Sequence, residues 1–341
     1  MRCTADETRA QQRNNTKYLT DGPSQKDERD SKGEERPAYI CETKEFQDTR
    51  GAGGRMVVWL CLLKSVLKLT FLVGILASAI LFLPNLPPHN VNFTSYELPP
   101  TKKLEGPLAL NTKLNNAEKL FENLLKGPES FTYHKGILYT GVQGGYVVKI
   151  SGNTVTPFLK FGKSCAGFHE PQICGRPLGL RMDSKENLYV ADAYYGIFKV
   201  NVTTGESVPL FDLETPIEGR KPKLVNSVAI ASDGTIYWTE SDSNFYLHDL
   251  LLSFLADGSG RLFKYDPVTK TNTVLADQLR FANGISLSPD ESQIYFAESG
   301  GYRIRRYFLK GSNKGKLEVA ADGLPGAPDN IKTDKQGNMY V

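Results

Sequence analysis

Five stretches of this chain open alike: Gly-Pro-Glu129-Ser, Gly-Arg-Pro177-Leu-Gly, Leu-Val-Asn226-Ser, Phe-Ala-Asn283-Gly and Pro-Asp329-Asn330-Ile. Each but the last leads into an alternating apolar strand, a polar turn, a second strand ending in a small or acidic residue, and two further strands. A repeat of roughly 45–55 residues made of four strands specifies an all-β fold, a β-propeller. In such a fold the first strand of every blade lines the central channel. Residues at one phase of successive repeats then converge, however far apart they lie in sequence. Glu129, Asn226, Asn283, Asp329 and Asn330 share that phase. Two carboxylates and three amide oxygens around one axis suit a hard cation such as Ca2+.

The strands fall into blades over 127–161, 175–211, 225–279 and 281–324, with an insertion near 244–256 in the third. A fifth blade opens at Pro328 and is cut off in its second strand at Val341. Propellers close by pairing the last blade with the first, which protects strand edges. A chain that stops here is expected to be a fragment of a longer one, holding about four and a half blades.

At 341 residues the chain is long enough to bury a large core, and its 40% hydrophobic content is ordinary. The net charge of +3 is small, and the basic residues are scattered rather than clustered with aromatics. No nucleic-acid partner is expected. Residues 1–55 are polar and mixed in charge without apolar period, and read as a disordered cytosolic tail. Residues 56–83 are almost wholly apolar apart from Lys64 and Lys68, and are long enough to span a bilayer. Arg50, Arg55, Lys64 and Lys68 precede the uncharged part, so the N-terminus stays in the cytosol. The expected topology is a single-pass type II membrane protein of the endoplasmic reticulum or plasma membrane, propeller lumenal or extracellular. Residues 84–126 read as a Pro-rich stalk followed by a helix over 115–125 against the propeller edge.

On the lumenal side Cys165 and Cys174 lie close enough in sequence to close a disulfide, with two buried thiols as the other reading. Asn92 and Asn201 head sequons there and are expected to carry glycans; Asn14 heads one in the cytosolic tail and is not. Asp192, Glu240 and Glu298 end the second strands of three blades, at the same end of the channel as the oxygen donors. They are candidates for general base or, more plainly, braces that accept backbone N–H bonds. His169 and His248 are weaker candidates in loops. No Gly-x-Ser-x-Gly elbow appears, so a serine-hydrolase mechanism has no support.

The stretches Leu120-Phe-Glu-Asn, Gly127-Pro-Glu-Ser, Cys174-Gly-Arg-Pro-Leu-Gly, Val190-Ala-Asp-Ala-Tyr-Tyr-Gly, Glu214-Thr-Pro-Ile-Glu-Gly, Gly260-Arg-Leu-Phe-Lys-Tyr-Asp and Asp277-Gln-Leu-Arg-Phe-Ala-Asn-Gly resemble, in order, the strictosidine synthase-like family. The resemblance implies a six-bladed propeller with an N-terminal anchor and arylesterase-like hydrolysis. The donor phase is also similar to the calcium-dependent paraoxonase lactonases, whose corresponding positions hold Glu, Asn, Asn and an Asp-Asn pair. Two departures matter. Ser130 and Ser227 stand where those lactonases carry acidic residues for a second, structural calcium, so one ion is expected. Leu178 stands where they place a histidine base, so that mechanism does not carry over. The glutamate on which strictosidine synthase relies belongs to a later part of the fold, so its condensation chemistry is not expected. The expected function is calcium-dependent hydrolysis of a small ester or lactone. The alternative is a non-catalytic glycosylated surface propeller for adhesion or receptor scaffolding.

Overall fold

The computed structural model describes residues 52–82, 90–167 and 169–341. The tail over 1–51 with Cys3, Cys41 and the Asn14 sequon, and the first part of the stalk, lie outside them. Helix α1 (Ala52–Phe82) is one unbroken helix. Its window Leu62–Ile80 is long and apolar enough to cross a membrane, with none of its side chains buried within the protein.

From Phe131 onward the chain is all-β with propeller-like blades. The first sheet holds β1 (Phe131–His134), β2 (Ile137–Val142), β3 (Tyr146–Ser151) and β4 (Thr154–Lys160). The second holds β5 (Pro177–Met182), β6 (Asn187–Asp192), β7 (Gly196–Asn201) and β8 (Ser207–Pro209). The third holds β9 (Val225–Ile230), β10 (Ile236–Glu240), β11 (Gly260–Asp266) and β12 (Thr271–Leu279), and the fourth β13 (Ala282–Leu287), β14 (Gln293–Glu298), β15 (Arg303–Phe308) and β16 (Leu317–Ala321). A two-stranded sheet follows, β17 (Lys332–Thr333) with β18 (Met339–Tyr340). All pairings are antiparallel between sequence neighbours, the simplest outcome of short turns between alternating strands.

The first strands β1, β5, β9, β13 and β17 touch in succession, so each sheet meets the next through its inner edge. Two glycines make that approach possible. A Cβ on Gly179 would sit 2.6 Å from the Cα of Ser227, and one on Gly284 would sit 2.5 Å from the amide nitrogen of Ile331. Each glycine therefore draws the next donor-bearing segment against its own strand.

Hydrophobic layers fill the space between sheets. Tyr139, Val147, Leu180, Leu188 and Val190 pack between the first and second; Tyr189, Ile197, Val228, Trp238 and Phe263 between the second and third; Leu262, Leu279, Ile285 and Phe296 between the third and fourth. Trp238 stacks on Phe263 with centroids 3.8 Å apart and donates its indole N–H to Asn272. Its full burial is worth about 3 kcal/mol.

Two expectations change. Residues 115–125 form successive turns, not a helix: Phe121 and Asn123 have φ of 58° and 65°, and Leu120 and Leu124 stay 65% and 68% exposed. The apolar spacing there has no surface to bury against, so nothing enforces helical dihedrals. Part of the expected stalk, around residues 92–103, lies along the third and fourth sheets. The Thr94 amide and hydroxyl donate to Asp257, Tyr96 Oη to the Gly300 carbonyl, and the Lys102 amide to the Gly323 carbonyl. The insertion of the third sheet carries a short helix, α3 (Leu250–Leu255), over one end of the inner strands.

Candidate metal centre

The oxygen donors begin with the way each asparagine is held. Ser241, directly after β10, donates its hydroxyl to the Ala282 carbonyl at 2.7 Å. Its oxygen then accepts from Asn226 Nδ2 at 3.0 Å. The fourth sheet repeats the device: Ser299 donates to the Pro328 carbonyl at 2.6 Å and accepts from Asn283 Nδ2 at 3.3 Å. Because each hydroxyl proton is already committed, the amide must present nitrogen to serine, and its oxygen is the end left for the channel. Asn283 Oδ1 is buried and has no hydrogen-bond partner, a costly state for a carbonyl oxygen.

Glu129, Asn226, Asn283 and Asp329 line one cavity of about 230 Å³. Asn330 joins them by donating Nδ2 to Glu129 Oε2 at 3.1 Å. The five residues named from their repeat phase, spread over some two hundred positions, thus lie together. Burial and then the neighbouring Asp329 push the Glu129 carboxyl up, against the pull of Arg176 and the Asn330 hydrogen bond. Asp329 stands at the rim, reaching solvent, yet burial of its carboxyl pushes it up as well. Two carboxyls both pushed up by burial, Glu129 also by the charge of Asp329, stand beside an unpartnered amide oxygen and form an all-oxygen set short of positive charge. Among the described residues no group of three or more His, Cys, Asp or Glu stands together, so the set depends on its amides.

The opposite wall is apolar: Leu178, Leu247, Leu250, Phe254 and Phe281. Leu178 packs there with Ala193, Leu224 and Phe281. Deeper in the channel Lys332 places Nζ 3.3 Å from Ser130 Oγ and 3.5 Å from the Leu180 carbonyl. Burial, then Arg181, lowers that ammonium to about 7.

The second-strand acids sit elsewhere. Glu240 is fully buried and takes Arg261 Nε and Nη2 at 2.5 and 3.2 Å, the Lys223 amide and the Ser243 hydroxyl. Glu298 takes Arg303 at 2.7 Å, Arg305 at 2.9 Å and the Arg280 amide. Both carboxylates are saturated and act as braces. Asp192 accepts the Tyr194 and Tyr195 amides on Oδ1, while Oδ2 is buried without a partner; burial raises it to about 6. None of the three lines the donor cavity. His169 and His248 line a neighbouring cavity.

Arg176, Ser241 and Ser299 escaped the sequence reading. The serines had a signal: Asn pairs with a serine after the second strand in sheets three and four, whereas Leu178 is matched by Ala193 in sheet two. Arg176 had one too. Its carbonyl accepts the Ala193 amide as those of Leu224 and Phe281 accept Ser241 and Ser299, so it is the arginine at a phase otherwise apolar.

Cys165 and Cys174 are joined, Cα–Cα 5.6 Å, closing the loop before β5. Asn92 and Asn201 are both exposed.

Sequence profiles describing strictosidine synthase and the strictosidine synthase-like N-terminal region match residues 226–312 and 106–150. The chain is 42% identical over 264 residues to the adipocyte plasma membrane-associated protein Hemomucin of Drosophila melanogaster, a match covering 76% of this chain and 46% of that protein. It is 42% identical over 250 residues to the human adipocyte plasma membrane-associated protein, covering 72% and 60%. The chain therefore spans about half the length of the curated relatives it matches. Among solved structures it is similar to a gluconolactonase of Xanthomonas campestris (TM-score 0.49, 18% identity, 63% of this chain and 69% of that one). It is similar as well to the calcium-binding protein regucalcin of Agrobacterium tumefaciens (TM-score 0.46, 17% identity, 63% and 66%). With profiles and relatives agreeing, the chain belongs to the strictosidine synthase-like family.

Proposed function

We propose that this chain belongs to a six-bladed, membrane-anchored propeller that hydrolyses small aryl esters or lactones with the help of Ca2+. The observation that carries the reading is the single cavity in which Glu129, Asn226, Asn283 and Asp329 face an apolar wall, with Asn283 Oδ1 buried and unpartnered. The donors fit a calcium ion by type: hard oxygens, two of them anionic, matching the charge of one divalent ion. Bound there, the ion would supply Lewis-acid polarisation of a carbonyl oxygen. The residues of the chain do the rest. Leu178, Leu247, Phe254 and Phe281 take the apolar part of an ester and exclude water from it. Asp329, reaching solvent at the rim, is the carboxylate placed to accept the proton of an attacking water. Lys332 against Ser130 puts an amine where a second ion would need a carboxylate, which favours one ion per chain.

The saturation of Glu240 and Glu298 by arginines favours the second reading, a glycosylated surface propeller without catalysis. Phenyl acetate hydrolysis by the full chain, with and without chelator, separates the two. Chelator-sensitive turnover is expected, and Asn283→Ala should lower calcium affinity at least tenfold in calorimetry. Absent turnover, with a melting temperature indifferent to chelator, rejects the hydrolase. Unchanged affinity in Asn283→Ala rejects the donor set.

A further inference from the structure

Beside the donor cavity lies a second one of about 330 Å³, and the two share Leu247 and Leu250 as a common wall. Its lining holds Arg176, His169, His248 and Gln143, and no carboxylate. That balance is unusual for a surface recess beside two acids, and it points to a ligand of negative charge.

Arg176 is built into place. The Cys165–Cys174 bridge and the short helix α2 (Pro171–Cys174) immediately precede it. Tyr195 Oη donates to the Ile173 carbonyl at 2.9 Å and Lys160 Nζ to the Cys174 carbonyl at 3.0 Å. Gly175 is confined as well, since a Cβ there would meet Asp192 Oδ2 at 2.7 Å. The guanidinium is mostly buried and spends Nη2 on Glu129 Oε1, a long 3.4 Å contact. Nη1 is buried with no partner. Across the cavity the His248 ring stacks on Tyr246 at 5.7 Å, with Nδ1 3.2 Å from the Tyr194 hydroxyl and Nε2 3.3 Å from Asp249 Oδ2, so its orientation is fixed too.

Resting on the hydrolase reading above, we infer that this second cavity receives a carboxylate carried by the substrate, with Arg176 as the specificity-determining residue. The substrate is then an ester or lactone with an anionic tail. Its carbonyl lies among the oxygen donors and its tail lies past Leu247 and Leu250. A planar guanidinium with an unused N–H edge matches a carboxylate in shape and in hydrogen-bond count. A monoanion also fits the local charge. Glu129 only partly neutralises Arg176 at 3.4 Å, and once Glu129 serves a cation one positive charge remains for the neighbouring cavity.

The test is calorimetry on the full chain in detergent micelles, titrating benzoate against its neutral isostere benzamide, with calcium and with chelator. Benzoate is expected to bind at least tenfold more tightly than benzamide. Arg176→Met should erase that difference, Arg176→Lys should keep part of it, and calcium should strengthen benzoate binding. Gln143→Trp, at a residue that lines this cavity and not the first, should weaken benzoate without touching Arg176. Equal affinity for the two probes overturns the inference. So does a folded Arg176→Met, or a Gln143→Trp, that binds benzoate as the parent does. Phenyl acetate turnover reads the other question: Arg176-dependent benzoate binding with no turnover rejects catalysis and keeps the anion site. Turnover without benzoate preference does the reverse.

Discussion

At the end of its second strand the third sheet carries Glu240, paired in register with Arg261; the second sheet carries Asp192, paired with Gly196. The fourth sheet follows the third, with Glu298 opposite Arg303. The acids occupy one phase and all accept backbone N–H bonds from their surroundings, yet only two have a cation across the strand. Where it is present, the carboxylate is a brace closing the start of its sheet. Where it is missing, burial outweighs the backbone N–H bonds and the charge of Arg176, Asp192 rises to about 6 and one oxygen is left bare. The same sheet replaces the Asn–Ser pair with Leu178 and Ala193, and brings Arg176 where its neighbours have Leu224 and Phe281. One blade has exchanged the Asn–Ser pair and the arginine-paired acid for an apolar wall and a single arginine that reaches Glu129 with one nitrogen.

Removing the brace from the third sheet should have the largest effect. Arg261→Met strands Glu240 in a fully buried place, and a loss of about 3–5 kcal/mol is expected in urea unfolding followed by Trp238 fluorescence at neutral pH. A loss under 1 kcal/mol would erase the contrast with the second sheet. Asp192→Asn acts in the opposite direction. The folded pKa of Asp192 is raised from 3.8 to about 6, so between those values the folded chain holds a proton that the unfolded chain has released. Stability should therefore fall as pH climbs from about 4 to about 6, and stay lower above it. Asparagine cannot ionise and keeps the oxygen that accepts Tyr194 and Tyr195, so the slope should vanish. The variant is expected to exceed the parent at pH 8 by up to ~3 kcal/mol and to match it near pH 3.5. A slope that survives the substitution assigns it to another group. The smallest effect sharpens the comparison: Leu178→Asn with Ala193→Ser copies the Asn–Ser pair into the second sheet. Calcium affinity is expected to rise roughly three- to tenfold in calorimetry. No change would mean that the equivalence of the sheets stops at the backbone.

Much of this was legible in the chain because a repeat converts distance in sequence into proximity. Alternation located the strands of the four complete sheets, and the shared phase of Glu129, Asn226, Asn283, Asp329 and Asn330 brought them to one place. The same phase argument put Asp192, Glu240 and Glu298 at the donor end of the strands but could not tell brace from base. That depends on Arg261 and Gly196, third-strand residues whose relevance appears only through register. Arg176 was hidden for a related reason. A basic residue beside a proline reads as surface until the neighbouring sheets show what its position normally buries. Residues 115–125 misled because Leu120 and Leu124 keep a helical spacing while lying on turns, and periodicity says nothing about whether a partner surface exists.

The hydroxyls of Ser241 and Ser299 each join an asparagine of their own blade to a carbonyl at the start of the next. The aim of each amide oxygen is thus mechanically geared to the seam between two blades. Prising a seam apart by a fraction of an ångström would slacken the gear and swing the oxygen off the axis. Whatever presses on the outside of these blades therefore holds a lever on where the two amide oxygens point.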